Sequence, residues 1–231
     1  MTRYKTEKLS EHDLRTIGTQ EFCAVIEVTN GVSDNRLNDK VQQALDGRDY
    51  MRARLPNMPI YAGLIFHRNT NVMNLSGITE LDFVLQVQRY ERNQMMNSID
   101  AAIDRIHEPE SRRFAHKLRN NIRRDANIDK LFYPSEKNWQ ELKRNYRTLT
   151  GKRKLSEYQA RVARVKGPAL EEYVKRSLEH KINIPFIKGP IEMPEGDDID
   201  VVAAGPESLV LGRLTNAKYF LIHVAPTPVP K

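Results

Sequence analysis

The chain has 231 residues, with 37 Lys and Arg against 30 Asp and Glu; 39% of its residues are apolar and 29% charged. That balance fits a folded chain with a sizeable core and argues against a disordered class, and no apolar run is long enough to span a bilayer. The single cysteine, Cys23, rules out an internal disulfide or a cysteine-rich zinc site. Together with an N-terminus, MTRYKTEKLSEHD, that carries no apolar signal region, it points to an intracellular setting, cytoplasmic or virion interior.

In chain order, Ser10-Glu11-His12-Asp13 predicts a capping box, with Asp in place of Glu, opening a short helix that ends at Gly18. Glu21 to Thr29 is an apolar, β-branched run closed by Asn30-Gly31, the clearest strand in the sequence. Cys23 lies inside it as a small buried hydrophobe. Ser33 or Asp34 can cap a helix whose inner face is Leu37, Val41, Ala44 and Leu45, with Asp46-Gly47 as its end. After Pro56 and Pro59, Ile60 to Phe66 predicts a second strand, so strand, helix and strand form a βαβ unit with a parallel pair. Asn69 to Gly77 is a mostly polar loop.

Ile78 to Gln88 fits either period, with Phe83, Leu85 and Val87 alternating. From Tyr90, Met96, Ile99, Ile103 and Ile106 recur at helical spacing. The expectation is one long helix from about Thr79 that stops at Pro109, with Met95, Met96 and Ile99 in packing roles.

Residues 111–166 carry 17 Lys and Arg against 5 Asp and Glu, a local net charge of +12, while the other 175 residues are net negative. Phe114, Ala115, Leu118, Ile122 and Ala126 make one apolar stripe of a helix from Arg112. A second helix reads from Ser135 with Trp139, Leu142, Tyr146 and Leu149, closed by Gly151. Ser156 and Gln159 box a third, with Tyr158, Val162 and Val165 inward. Gly167-Pro168 is expected to stop it and start a fourth, carrying Leu170, Tyr173, Val174 and Leu178.

Beyond it come a Pro-containing stretch, Ile182 to Met193, and an acidic turn, Glu195-Gly196-Asp197-Asp198. Short strands are expected at Asp200 to Ala204, Ser208 to Leu211 and Lys218 to Val224, before a Pro-rich extended tail.

The helix backs present Arg112, Arg119, Arg123, Lys143, Arg144, Arg147, Lys152, Arg153, Lys154, Arg161 and Arg164 as candidate contacts to a polyanion, since phosphates reward such a surface by counterion release. Phe132, Tyr133, Tyr146 and Tyr158 are interleaved with these charges and could stack on bases. No zinc-finger or RNP signature offers base-specific readout. Nor is there a P-loop, G-x-G-x-x-G, H-E-x-x-H, C-x-x-C or G-x-S-x-G motif. His67, His107, His116, His180 and His223 lack metal-ligand spacing.

The enzymatic alternative is a metal-dependent nuclease, which needs carboxylates converging on Mg²⁺ with a lysine nearby. Glu27 within its strand, followed by a helix, resembles the PD-(D/E)xK nuclease group over that strand and helix. The sequence departs from it in having Thr29 where the motif has Lys, and in acids, Glu21 and Asp13, that do not follow a proline. A second acidic group is Asp197, Asp198 and Asp200, with Glu171 or Glu172 on the preceding helix.

The expected fold is α+β, a mixed sheet from N- and C-terminal strands with a central helical layer basic on its outer face. Its regions are 1–78 (strand-helix-strand), 79–181 (helical and basic) and 182–231 (β with a Pro-rich tail), the last able to share one domain with the first. The leading expectation is a non-enzymatic nucleic-acid-binding or particle-assembly protein that needs no cofactor. The alternatives are the Mg²⁺-dependent nuclease, with Glu27, Asp197, Asp198 and Asp200 as its acids, and a structural subunit that binds an acidic protein partner. Each implies an oligomer or complex rather than a membrane protein.

Overall fold

The computed structural model describes residues 4–29, 34–67, 78, 80–87, 92–124, 152–194 and 196–206. The chain forms two compact units, one of residues 91–172 and one of residues 4–90 together with 173 onward. The protein is α+β.

In the larger unit, α1 (Glu11–Gly18) starts on the expected box: the Asp13 N–H donates to Ser10 Oγ at 3.1 Å and the Ser10 N–H donates to Asp13 Oδ2 at 2.7 Å. Then follow β1 (Phe22–Thr29), α2 (Asp34–Arg52), β2 (Ile60–His67) and β3 (Phe83–Val87). The chain is back in this unit from Tyr173, and adds β4 (Phe186–Lys188), β5 (Ile191–Glu192), β6 (Asp198–Ile199) and β7 (Val201–Gly205). The five-stranded sheet has the order β3-β2-β1-β7-β4, and β5 pairs with β6 as a separate two-stranded ribbon. β1, β2 and β3 run parallel, whereas β7 pairs antiparallel with β1 and with β4. N- and C-terminal strands therefore share one mixed sheet, joined at the β1–β7 ladder.

Every residue of β1 is buried, as a central strand covered on both faces must be. Its odd-numbered side chains face α2. Cys23 and Val25 pack with Met51, Ile60, Ile199 and Val202, while Leu37, Val41 and Ala44 of α2 pack on Ala62, Leu64 and Phe66 of β2. Gly47 does not end α2, which runs on to Arg52. It is a close-approach residue instead, since a Cβ there would lie 2.8 Å from Val25 Cγ1 and 3.0 Å from Ile199 Cγ1.

The smaller unit contains α3 (Arg92–Asp104), α4 (Pro109–Arg124) and the first part of α5 (Lys152–Ser177), which continues into the larger unit. The long helix expected from Thr79 is corrected: Phe83 to Val87 is a strand paired in parallel with β2, so the alternation of Phe83, Leu85 and Val87 reports the true period. Pro109 opens α4 rather than stopping a helix, at the first position where its missing N–H costs nothing. Gly167-Pro168 does not split α5, which passes through Pro168 as one helix. Burial of Val165, Ala169, Leu170, Tyr173 and Val174 along it offsets the lost hydrogen bond. α5 ends in a π-helical turn, Leu178–Ile182, capped by Asn183 in the left-handed region.

Ile99 and Ile103 of α3, and Ile106 just beyond it, are buried as their spacing predicts, whereas Met95 is buried in place of Met96, which is half-buried. The helix expected from Ser135, the aromatics Phe132, Tyr133 and Tyr146, the side chain of Tyr158, the strands from Ser208 and Lys218, and the tail lie outside the described residues.

Candidate functional site

β1 is apolar except at Glu27 and Thr29, both on the face covered by α2. Glu27 is 4% exposed. Burying a carboxylate without a counter-charge costs several kcal/mol, so its surroundings must supply one. Lys40 does so: its Nζ lies 2.5 Å from Glu27 Oε1 and also donates to Gln43 Oε1 at 2.7 Å. Lys40 stands three residues after Leu37 and four before Ala44, on the flank of the stripe that packs on β2. That position carries its ammonium onto the sheet face where Glu27 is buried.

The second carboxylate comes from the far end of the chain. The antiparallel register pairs Ile26 with Val201, and one step further brings Asp200 opposite Glu27. The Val28 N–H donates to Asp200 Oδ2 at 2.7 Å, and Asp200 is itself buried. Gly189 permits this placement, since a Cβ there would fall 2.2 Å from the Asp200 carbonyl oxygen at φ +151°.

Burial, and then the neighbouring Glu27 charge, hold the Asp200 carboxyl well above the usual carboxylate range, against the pull of Lys40 and the Val28 N–H. Burial alone would lower Lys40, but the attraction of Glu27, with Asp200 and Asp198 adding to it, keeps its ammonium above the ordinary lysine value. The three groups form one electrostatic cluster: two carboxylates in each other's field, with one tethered cation holding them together.

β1, β2 and β3 are parallel, so their carboxyl ends lie on one edge of the sheet, and Glu27 is the sixth of the eight residues of β1. In sheets with parallel strands ligands gather outside the carboxyl ends, where neighbouring connections diverge. β1 lies between a parallel neighbour, β2, and an antiparallel one, β7.

Of the four acids nominated from sequence, the structure brings Glu27 and Asp200 together, and Asp198 acts electrostatically on both Lys40 and Asp200. Asp197 is exposed beside the turn between β5 and β6, its backbone carbonyl accepting from the Met193 N–H. Glu171 and Glu172, in the helical unit, both pair with Arg105, at 2.8 Å and 3.2 Å. Lys40 was missed because the lysine was sought two residues after Glu27. The signal was a cation on the apolar stripe of α2. Among the described residues no group of three or more His, Cys, Asp or Glu side chains is placed to hold a metal ion.

Three of the nominated basic residues have described side chains, and all three serve the helical unit. Arg112 donates twice to the Ile106 carbonyl, at 3.0 and 2.7 Å. Arg119 makes a bidentate pair with Asp100, both bonds at 2.7 Å. Arg164 reaches Glu108 at 3.3 Å and Ser111 Oγ at 3.2 Å. Arg113 and Lys117 on α4 are exposed. The side chains of Arg123, Lys152, Arg153, Lys154 and Arg161, and all of Lys143, Arg144 and Arg147, lie outside the described residues.

Among the described residues no helix is long and apolar enough to cross a membrane. Comparison with protein-family models, with curated proteins and with solved structures found no match.

Proposed function

We propose that the protein is a divalent-cation-dependent enzyme that cleaves phosphodiester bonds in nucleic acid. The observation that carries this is the convergence of Glu27, Asp200 and Lys40 at the carboxyl end of β1. Two buried carboxylates raise each other's free energy, and such pairs cluster where a protein uses charge for chemistry. The donors fit a hard cation such as Mg²⁺, which takes a few carboxylate oxygens and completes its shell with water. Glu27 and Asp200 would hold it, with the Asp198 charge nearby. When bound, such a cation supplies an activated water and offsets the charge of a phosphate.

A basic segment at +12 gives the chain a second feature suited to the same substrate class, since clustered Lys and Arg draw a polyanion from solution. That charge also favours a second reading, non-enzymatic binding of nucleic acid.

The experiment incubates the purified protein with single- and double-stranded DNA and RNA in Mg²⁺ or Mn²⁺ and in EDTA. Cation-dependent cleavage that is lost in Glu27→Gln and in Asp200→Asn is the expected result. Cleavage at equal rates in wild type and both variants overturns the site. Salt-sensitive binding with no cleavage in either metal favours the second reading.

A further inference from the structure

We propose that Lys40 is a tethered counter-cation that competes with the divalent cation for Glu27, and so sets how tightly the site takes its metal. This rests on the cation-site reading above. The ammonium sits on Glu27 Oε1, the oxygen a cation would need, and it is part of the fold rather than a solute. Loading the site therefore requires an exchange, in which Lys40 leaves Glu27 as the metal arrives.

Two features permit the exchange. Gln43, one helical turn further along α2, already accepts from Lys40 Nζ at 2.7 Å, so the ammonium keeps one protein partner when it lets go of Glu27. The Lys40 side chain is 31% exposed, against 4% for Glu27, so its head can reach water without unpacking α2. The carboxylates are buried and the ammonium is the more exposed partner.

Asp200 makes the arrangement selective for a higher charge. The Lys40 ammonium faces two buried carboxyl groups with Asp198 nearby, and a divalent ion answers that field better than an ammonium does. The displaced ammonium, still anchored to α2, is then free to contact an anionic group of a substrate.

The test titrates the full chain with Mn²⁺ by calorimetry at constant pH, comparing wild type, Lys40→Met and Lys40→Arg. Removing the competitor in K40M is expected to tighten Mn²⁺ binding roughly tenfold or more. K40R, whose guanidinium grips a carboxylate with two donors, is expected to weaken it several-fold. A lysine with only a structural role would not move affinity in opposite directions in the two variants. K40R keeps the charge on Glu27, so its affinity decides the question alone where K40M does not fold. Wild type that binds Mn²⁺ while K40R binds it equally or more tightly, or K40M equally or more weakly, overturns the competition and leaves the cation site standing. No binding by any of the three overturns both.

Discussion

Replacing Lys40 by methionine removes the ammonium that pairs with Glu27, and the expected cost follows from the burial of its partners. Removing one member of a buried ion pair costs about 3–5 kcal/mol when the charge left behind stays buried. Glu27, 4% exposed, is such a charge, and Asp200 beside it aggravates the deficit. Glu27→Gln leaves instead an ammonium that is 31% exposed and still held by Gln43, so about 1–2 kcal/mol is expected. The double variant should recover most of the K40M loss, because it leaves neither charge unpaired. Guanidinium denaturation in EDTA reads each value as a shift in midpoint at constant slope.

The pH dependence supplies an independent check. The folded-state pKa of Asp200 lies above its unfolded value, the reverse of the usual carboxylate, so the penalty is absent at acid pH and grows as pH rises through and beyond about 4. Lys40 opposes that rise, and its removal deepens it. The K40M deficit should therefore be small near pH 4 and largest at pH 8. Equal costs for K40M and E27Q at neutral pH, or a K40M deficit that is flat with pH, would refute the account of the cluster.

The remaining predictions test its supports and the helical unit. Gly189→Ala places a methyl 2.2 Å from the Asp200 carbonyl at a positive φ, so a loss of about 3 kcal/mol or more is expected in denaturant melts, together with any metal binding; a neutral result would show that Asp200 is not held from that side. Desolvation pushes the Asp13 carboxyl up, but hydrogen bonds from Lys188 and Ser10 outweigh it and hold it at about 2. Stability from this group is present above pH 4 and lost as pH falls toward 2; discounted for solvent screening, Asp13→Asn should cost about 1 kcal/mol at pH 7 and almost nothing at pH 2. Arg119→Ala should destabilise by about 1 kcal/mol and leave the salt dependence of nucleic-acid binding unchanged, because its guanidinium is committed to Asp100. Arg113→Ala, at an exposed position, should leave stability alone and flatten the salt slope by about one unit in a filter-binding series.

The elements legible in the sequence are those whose signals are local. Ser10 and Asp13 lie three residues apart, the apolar run of β1 is contiguous, and Leu37, Val41 and Ala44 repeat within one helix, so the capping box, the strand and the βαβ unit could be read directly. β3 was hidden because Phe83 to Val87 is short and flows into a stretch of helical spacing, and the pairing with β2 that decides it is set by tertiary contact. Gly47 and Pro168 misled for a common reason: both are residues that end helices in isolation. A buried interface overrides that preference, at Gly47 by demanding a close approach to Val25 and Ile199, at Pro168 by burying one side of α5. The cluster was half legible. An acid in an apolar strand and an acid before another are visible in the sequence, but the register that sets Asp200 against Glu27 spans most of the chain, and nothing local announces it.

Stability does not explain that cluster. Apolar residues of similar volume in place of a buried ion pair are often neutral or stabilising, by about 1–4 kcal/mol. Apart from Thr29, Glu27 sits on a sheet face built from Cys23, Val25, Ala62, Leu64 and Phe66, where one more aliphatic side chain would pack without any charge to satisfy. Asp200 is costlier still, since it brings a second negative charge to a place that already has one. What the arrangement provides, and an aliphatic patch cannot, is a preformed field at the end of a parallel strand that only positive charge can satisfy. A basic surface alone would bind a polyanion without any such field. The cluster, rather than the excess of Lys and Arg, is therefore the feature on which the proposed chemistry rests.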